Sequence, residues 1–199
     1  MKYDVLTVDS VNWNKIEKAE INSYVWGKEY VPHAYAQLAL IKEKGIALKM
    51  TAYEIAPKAV YNKYNDPVYK DSCLEFFVSF NSESPYYMNF EINSNGAFLA
   101  AIRTERKNKT PIDKIVDLKK IEVKPYCDEE KWSVEVLFTF DVIEALFGKC
   151  NFKDGAIFRG NFYKCGDETT IPHFGSWATI KNAGPDFHRP EFFGIFEIK

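Results

Sequence analysis

The stretch YYMNFEINSNGAFLAAIR, residues 86–103, decides the fold class of this chain. Two runs of alternating residues flank the turn signal NSNG, a pattern that predicts a β-hairpin. One face of the first run is apolar and consists of Tyr86, Met88, Phe90 and Ile92. The opposite face is polar and consists of Tyr87, Asn89, Glu91 and Asn93. Amides and a carboxylate are not the Lys, Thr and Ser of an ordinary solvated face, so this second face points to a function.

Segments with the same two-residue alternation recur along the chain. Hairpins are predicted at 34–54 and 121–140, and further strands at 72–80, 156–166 and 192–199. One short helix is predicted at 140–148, with Asp141 as its N-cap and Gly148 at its end. This content is typical of an all-β protein. We predict an antiparallel β-sandwich of the jelly-roll type with one short helix.

Two long stretches, 56–71 and 166–191, interrupt the predicted strands. Loops of this length are uncommon in compact domains and are often functional. Both are rich in Tyr, Trp, Phe and His, a composition that argues against disorder, so we interpret them as ordered binding loops. Neither a repeat nor a Pro- or Ser-rich linker divides the chain, and residues 1–199 are predicted to form a single domain.

The composition argues against several classes of partner. The 199 residues carry a net charge of −2, whereas binding to nucleic acid needs a basic excess. No apolar run reaches the length of a membrane span, and the start, MKYDVLTVDSVNWNK, lacks the apolar region of a secretory signal. We therefore expect a cytoplasmic protein that binds neither nucleic acid nor membrane, with its four cysteines reduced.

Polar side chains opposite the core face occur on several predicted strands. They are Glu75, Asn89, Glu91, Arg103, Arg159 and Asn161. Carboxylate, amide and guanidinium groups pair well with adjacent hydroxyls of a sugar, and aromatic rings from the two loops could stack on its C–H faces. The alternative is a solvated sheet face whose charges pair with one another. The run RTERKNK at 103–109 is interpreted as a solvated hairpin end, with no site residue beyond Arg103.

Five motifs, taken together, resemble one known family. They are YKDSCLEFFVSF (69–80), YYMNFEINSNG (86–96), GNFYKCGDE (160–168), PHFGSW (172–177) and PDFHRPEFFGIFEI (185–198). In this order they resemble the carbohydrate-binding module family 9-like proteins, which are grouped with the DOMON-like β-sandwiches. The resemblance covers nearly the whole chain. It implies a jelly-roll sandwich that binds sugar units of plant polysaccharides such as xylan or cellulose.

The resemblance also implies roles for individual residues. In the family two aromatic side chains hold the sugar between them, and these positions fall on Tyr69 and Phe187, where the best-known members carry Trp. The acidic residue of the first motif falls on Glu75. The polar positions of the next strand fall on Glu91 and Asn93, and a basic residue is typical where Glu91 stands. These residues are therefore expected to contact the sugar.

Two further assignments are less direct. Trp177 is a third candidate for stacking on a sugar, and a place in the core is its alternative. Some members of the family carry structural calcium, and Asp66 and Asp71 lie in a loop that could hold it. The chain has no twelve-residue calcium-loop pattern that would support such a site.

Two chemistries compete with simple sugar binding. Glu75 and Glu91 could act as the carboxylate pair of a glycoside hydrolase. His173 with Met88 or Met50 could ligate haem, as in some DOMON relatives, although loop histidines more often bind backbone carbonyls. We predict a protein with no catalytic residue and no cofactor, whose partner is a mono- or oligosaccharide. A protein-interaction domain that kept the fold without the ligand is the alternative.

Overall fold

Fourteen β-strands and one α-helix make up the chain, for which a computed structural model describes residues 1–199. In chain order the elements are β1 (Lys2–Val8), β2 (Ala19–Glu20), β3 (Ser23–Trp26), β4 (Ala34–Ile41), β5 (Gly45–Ala52), β6 (Cys73–Ser79), β7 (Tyr87–Asn93), β8 (Phe98–Arg103), β9 (Lys109–Pro111), β10 (Val123–Cys127), β11 (Trp132–Thr139), α1 (Phe140–Phe147), β12 (Ile157–Gly166), β13 (His173–Ser176) and β14 (Gly194–Ile198). Short 3-10 turns lie between them at Trp13–Lys15, Val68–Lys70, Ile112–Lys114, Leu118–Lys120 and Pro190–Phe192. None of the helices has the length and apolar character that crossing a bilayer requires.

Strand β1 joins two halves of one continuous pairing path. The strand order along this path is β10–β11–β5–β4–β1–β14–β12–β6–β7–β8–β9. Residues 6–8 of β1 pair with β4, and residues 2–5 pair with β14. The predicted β-sandwich with one short helix is confirmed. The sheet is mixed rather than purely antiparallel, however, because β1 runs parallel to both of its neighbours.

The main core lies between the two halves of the path and contains 38 buried residues. Phe76 on β6 stacks on Phe162 of β12 at 5.0 Å, and Trp177 stacks on Phe196 of β14 at 5.3 Å. A fully buried side chain of this size contributes about 1.5–3 kcal/mol through removal of apolar surface from water. The close fit of Trp177 requires Gly194, because a β-carbon at that position would lie 2.3 Å from the indole ring.

The predicted turn between β4 and β5 and the predicted end of α1 are both found in the structure, whereas the predicted N-cap of α1 is not. The hairpin predicted at 34–54 is formed by β4 and β5, and a β-carbon on Gly45 would lie only 2.0 Å from the carbonyl oxygen of Phe138. Gly148, with a φ of 73°, ends α1 as predicted. The N-cap of α1 is Thr139 rather than Asp141, whose carboxylate lies in the first turn and accepts a hydrogen bond from the Thr139 hydroxyl.

A second, smaller core covers the outer face of β6, β7 and β12. Its buried members are Val68, Cys73, Phe77, Tyr87, Ala97, Tyr163, Cys165, Ile180, Phe187 and Phe193. Both long loops contribute to it, and the loop at 166–191 also contains β13, which pairs with β12 and β3. The polar row of β7 is consequently not a solvated face. Asn89 and Asn93 are fully buried, and Glu91 is 5% exposed.

One end of the main core holds a buried ionic group. Nζ of Lys164 lies 3.2 Å from a carboxylate oxygen of Glu54, and the same carboxylate accepts a hydrogen bond of 2.9 Å from the indole of Trp132. Lys164 also contacts Nε2 of His173 at 2.7 Å, while Nδ1 of that ring lies 3.0 Å from the carbonyl oxygen of Ile171. This pattern fits a neutral His173 that donates from Nδ1 and accepts at Nε2.

The pKa shifts of this group favour the ionised Glu54 and the neutral His173. Burial opposes ionisation of Glu54, but Lys164 and hydrogen bonds from Ser72 and Trp132 together hold its pKa below the usual value. Burial and the positive charge of Lys164 lower the pKa of His173 to about 4. In both cases the unfolded chain binds protons more tightly than the folded one, so the stability that this group contributes is lost as the pH falls.

Replacing Glu54 by Gln should destabilise the fold by about 3 kcal/mol or more, because Lys164 then stays buried without a counter-ion. The contribution that this group makes to the stability of the parent protein should decline from about pH 6.5 downward, through the titration of His173 and then of Glu54. Urea unfolding at several pH values measures both effects. The matched control is Glu129→Gln, which changes an exposed glutamate and should leave the stability within about 0.5 kcal/mol of the parent. An equally small loss for Glu54→Gln would contradict the role of the ion pair.

Candidate functional site

A cavity of about 480 Å³ opens on the outer face of β6, β7 and β8. Its floor is made by Glu75 and Phe77 on β6, Glu91 on β7 and Cys165 on β12. Strand register brings the two glutamates together, because Glu75 lies directly opposite Glu91 in the antiparallel pair. Opposed side chains on one face of such a pair have β-carbons about 4.5–5.5 Å apart. The floor therefore presents two neighbouring carboxyl groups to the cavity.

Burial governs the charge of these carboxyl groups. Desolvation raises the pKa of Glu91 to about 7, against opposing effects of Asn89 and Arg103. Desolvation and the neighbouring Cys165 and Glu91 raise the pKa of Glu75 well above its usual value. The thiol of Cys165 donates to Oε1 of Glu75 at 2.9 Å. Burial therefore favours the protonated form of Glu75, which lies beside a second carboxyl that is near its titration midpoint at neutral pH.

One carboxyl oxygen of Glu91 accepts a hydrogen bond from the protein, and the other has no hydrogen-bond partner. Its Oε1 accepts a hydrogen bond of 2.8 Å from Nδ2 of Asn89, whereas Oε2 is buried and has no protein partner. Nε of Arg103 donates to Oδ1 of the same Asn89 at 2.6 Å, so one amide positions both charged side chains. Arg103 also donates to the backbone oxygen of Arg106. A buried acceptor without a partner is costly unless a ligand or water supplies a donor.

Aromatic side chains from the loops line the upper part of the cavity. They include Tyr69 from the first loop and Phe174 and Phe187 from the second. The ring of Phe187 is held in place by parallel stacking on Tyr163, at 4.2 Å between centroids. Such rings can pack against the C–H faces of a sugar while polar groups below bind its hydroxyls.

His188 also borders the cavity and is held as a neutral ring. Its Nδ1 lies 3.0 Å from the hydroxyl of Tyr87, and its ring packs on Phe77 at 4.9 Å. Burial and the positive charges of Arg103, Arg106 and Lys109 lower the pKa of His188 to about 3. The Tyr87 hydroxyl, whose pKa burial raises to about 12, therefore donates and the imidazole accepts.

The structure brings together five of the nine residues that the sequence nominated for ligand binding. Those that line the cavity are Tyr69, Glu75, Glu91, Arg103 and Phe187. Asn89 lies directly beneath them, as the amide that joins Glu91 to Arg103. The other three are outside the cavity and hold other parts of the fold.

Each of these three has a local structural role. Asn161 is fully buried and exchanges two hydrogen bonds of 2.8 Å with the backbone of Ala178, which fastens the second loop to β12. Trp177 occupies the main core, which was the alternative for this residue. Arg159 borders a separate depression and contacts the carbonyl oxygen of Phe193 at 3.4 Å.

Comparison with known proteins identifies the family. Residues 6–198 match the carbohydrate-binding family 9. The chain belongs to this family. Among solved structures it is similar to that of a protein from Bacteroides uniformis proposed to bind carbohydrate, with 26% identity, a TM-score of 0.83, and coverage of 100% of this chain and 99% of the other. No curated protein sequence matches the chain.

Two structures of a family 9 module from Caldicellulosiruptor kristjanssonii share the fold with 15% identity. The complex with cellotriose has a TM-score of 0.67 and covers 100% of this chain and 94% of the other. The complex with glucose has a TM-score of 0.68 and covers 100% of this chain and 96% of the other. The resemblance that the motifs indicated is thus confirmed at the level of the family and its fold.

Part of the cavity of this family 9 chain was not anticipated from its sequence. The segment after β8 lines it with Arg106, Lys107 and Lys109, although the run at 103–109 resembled a solvated hairpin end. Asp186 lies opposite and pairs with Arg106 at 3.4 Å. A charged turn has no periodicity from which its orientation could be read. The sequence signal that could have indicated this part of the cavity was the position of the segment, directly after the strand that carries Arg103.

The aspartates proposed for calcium have backbone partners. Oδ2 of Asp71 accepts hydrogen bonds from the amides of Val60 and Tyr61 at 2.9 and 3.0 Å, and Oδ2 of Asp66 accepts from Asn62 and Lys63 at 3.2 and 2.9 Å. Oδ1 of Asp71 is buried without a partner. Calcium takes six to eight oxygen ligands, and two aspartates whose Oδ2 atoms already accept backbone hydrogen bonds do not make such a shell. The contacts fit the ordering of the loop at 56–71.

Two other groups have the composition of metal or haem ligands. Cys73, Glu75 and Cys165 have ligand atoms within 4.8 Å of one another and are all buried. Burial raises the pKa of Cys73 to about 11 and that of Cys165 well above its usual value, which favours thiols over the thiolates that bind metals. Both ring nitrogens of His173, the residue considered for haem, have protein partners.

We expect Glu91 to titrate near pH 7, because its carboxylate is desolvated in the floor of the cavity. Carbon-13 NMR of the protein labelled at the glutamate carboxyls measures this midpoint, and the Glu91→Gln variant assigns the resonance. A raised carboxyl pKa means that the folded state loses stability as the pH rises from about 4.5 to 7, and the variant should not show this loss. A midpoint below pH 5 would refute the proposed desolvation.

Proposed function

We propose that this family 9 module binds a sugar in the 480 Å³ cavity and does not hydrolyse it. The observation that carries the proposal is the unpartnered Oε2 of Glu91, buried in the floor beneath aromatic side chains. A sugar hydroxyl would supply the missing donor. The size of the cavity supports the same conclusion, since small-molecule sites usually measure about 300–1,000 Å³.

The ligand contacts follow from the chemistry of the lining. Glu75 and Glu91 exchange hydrogen bonds with hydroxyls, and the guanidinium of Arg103 donates to a ring or hydroxyl oxygen. Tyr69 and Phe187 pack on the apolar faces of the ring. Asn89 fixes the orientation of two of these groups from below, so it contributes to affinity without touching the sugar.

Relatives narrow the class of sugar that we propose. The Caldicellulosiruptor kristjanssonii module was solved with glucose and with cellotriose. We extend to this chain the binding of glucose units and of short fragments from plant polysaccharides such as cellulose or xylan. The limited cavity volume favours one or two sugar units over the middle of a long chain.

A glycoside hydrolase is the second candidate, because Glu75 and Glu91 lie opposite each other across the β6–β7 pair. Hydrolysis needs two carboxyl groups that flank the scissile bond, one as acid and one as base or nucleophile. Here both project from the same sheet face, so they approach a ligand from one side. We therefore expect no turnover of a chromogenic glycoside; turnover that is lost in Glu75→Gln would favour the hydrolase.

Calorimetric titration against glucose, cellotriose and xylotriose tests the binding proposal. We expect Tyr69→Ala and Glu91→Gln each to weaken binding about tenfold, because each removes a contact worth about 1–2 kcal/mol. Tyr126→Ala is the matched control, since it removes an exposed tyrosine from β10, at the opposite end of the strand path from β6, β7 and β8, and should leave affinity unchanged. Thermal melts verify that the variants are folded. The absence of heat with every sugar would favour a protein-interaction domain instead.

A further inference from the structure

One wall of the cavity is strongly basic. Arg103 ends β8, and Arg106, Lys107 and Lys109 follow it within one turn, so that four cationic side chains border the same space. Their combined charge is felt by His188, since Arg103, Arg106 and Lys109 all lower the pKa of that ring. A neutral sugar does not require this concentration of positive charge.

Most of these cations have no carboxylate partner. Arg103 is only 7% exposed, yet its contacts are the amide oxygen of Asn89 and the backbone oxygen of Arg106, and no carboxylate oxygen lies within 4.0 Å. Lys107 and Lys109 likewise form no ion pair. By contrast Lys164, the other deeply buried cation, has Glu54 at 3.2 Å. A buried guanidinium without a counter-ion is unfavourable unless a ligand supplies the charge.

Acidic groups around the cavity do not cancel this charge. Asp186 is engaged with Arg106, and Asp167 is exposed to solvent. Burial favours the protonated form of Glu75, and it raises the pKa of Glu91 to about 7, so that Glu91 is only partly ionised at neutral pH. Three cations without an ion-pair partner, Arg103, Lys107 and Lys109, therefore face one exposed aspartate and the partly ionised Glu91.

We propose that the preferred ligand is a sugar with a carboxylate group, such as a hexuronic acid or an oligosaccharide that ends in one. Its carboxylate would pair with Arg103 and the lysines of the basic wall, while its hydroxyls meet Glu75 and Glu91 on the floor. A planar carboxylate suits the fork of a guanidinium, which can donate two parallel hydrogen bonds. This inference rests on the proposed function, because it places the acidic sugar in the same cavity.

Paired titrations at low salt test the inference. Two pairs of methyl glycosides are compared: glucuronic acid is titrated against glucose, and galacturonic acid is titrated against galactose. Glucose 6-phosphate is titrated separately to test a phosphate in place of the carboxylate. We expect the uronic acid of at least one pair to bind at least tenfold tighter than its neutral partner, with a preference that decreases as salt is added. The double variant Lys107→Gln/Lys109→Gln should reduce that preference to threefold or less. The control variant is Lys149→Gln/Lys153→Gln, which changes two exposed lysines that form no ion pair. It should retain the full preference for the uronic acid.

The outcomes separate the two proposals. Neutral sugars that bind as tightly as the uronic acids would overturn the acidic-sugar inference and leave the proposed function intact. Tighter binding of the sugar phosphate than of either uronic acid would overturn the assignment of a carboxylate. If none of the sugars binds, the proposed function itself fails. A preference that survives the double variant would overturn the role assigned to Lys107 and Lys109 in binding the carboxylate.

Discussion

The burial of strand β7 on both faces is the constraint on which the site depends. All seven of its residues are buried. Side chains alternate between faces, so the apolar row enters the main core while the polar row must find its hydrogen-bond partners inside the protein. Asn93 does so by donating to the Tyr61 carbonyl at 2.8 Å and to Asp71 at 2.9 Å, and by accepting from the amide of Ala97. Asn89 links two charged neighbours. Glu91 alone keeps an oxygen without a partner, and it lies where the cavity opens.

Much of the fold could be predicted because strand alternation is local. The runs at 34–54, 72–80 and 86–103 show their two-residue period directly, and each forms the expected strands. The parallel pairing of β1 could not be predicted in this way. Residues 2–8 also alternate, but their partners lie in β4 and at the opposite end of the chain in β14. Pairing across such separations depends on tertiary packing, which a local pattern does not specify.

The candidate site was predictable in part, for a related reason. Alternation indicates which face a side chain occupies, and Glu75 and Glu91 were correctly assigned to one face and are brought together by register. Alternation does not indicate which part of that face the loops leave open. Asn161 shares the face with Glu75 on a neighbouring strand, but it pairs in register with Phe77, and the second loop covers it. The basic wall was missed because a turn has no period to read.

The features proposed for ligand recognition are also those that cost the unliganded fold stability. A buried carboxyl with a raised pKa, an acceptor without a donor and a guanidinium without a counter-ion are each unfavourable on their own. They persist because large apolar surfaces on both sides of the sheet hold them in place, and because Asn89 fixes the geometry of two of them. A ligand that supplies hydroxyls to the floor and negative charge to the wall relieves all three defects at once. Binding and stability are therefore linked, since a ligand present at 100 times its dissociation constant stabilises the folded state by about 2.7 kcal/mol. Several unfavourable features concentrated around one opening are what distinguish a binding site from the rest of the sheet.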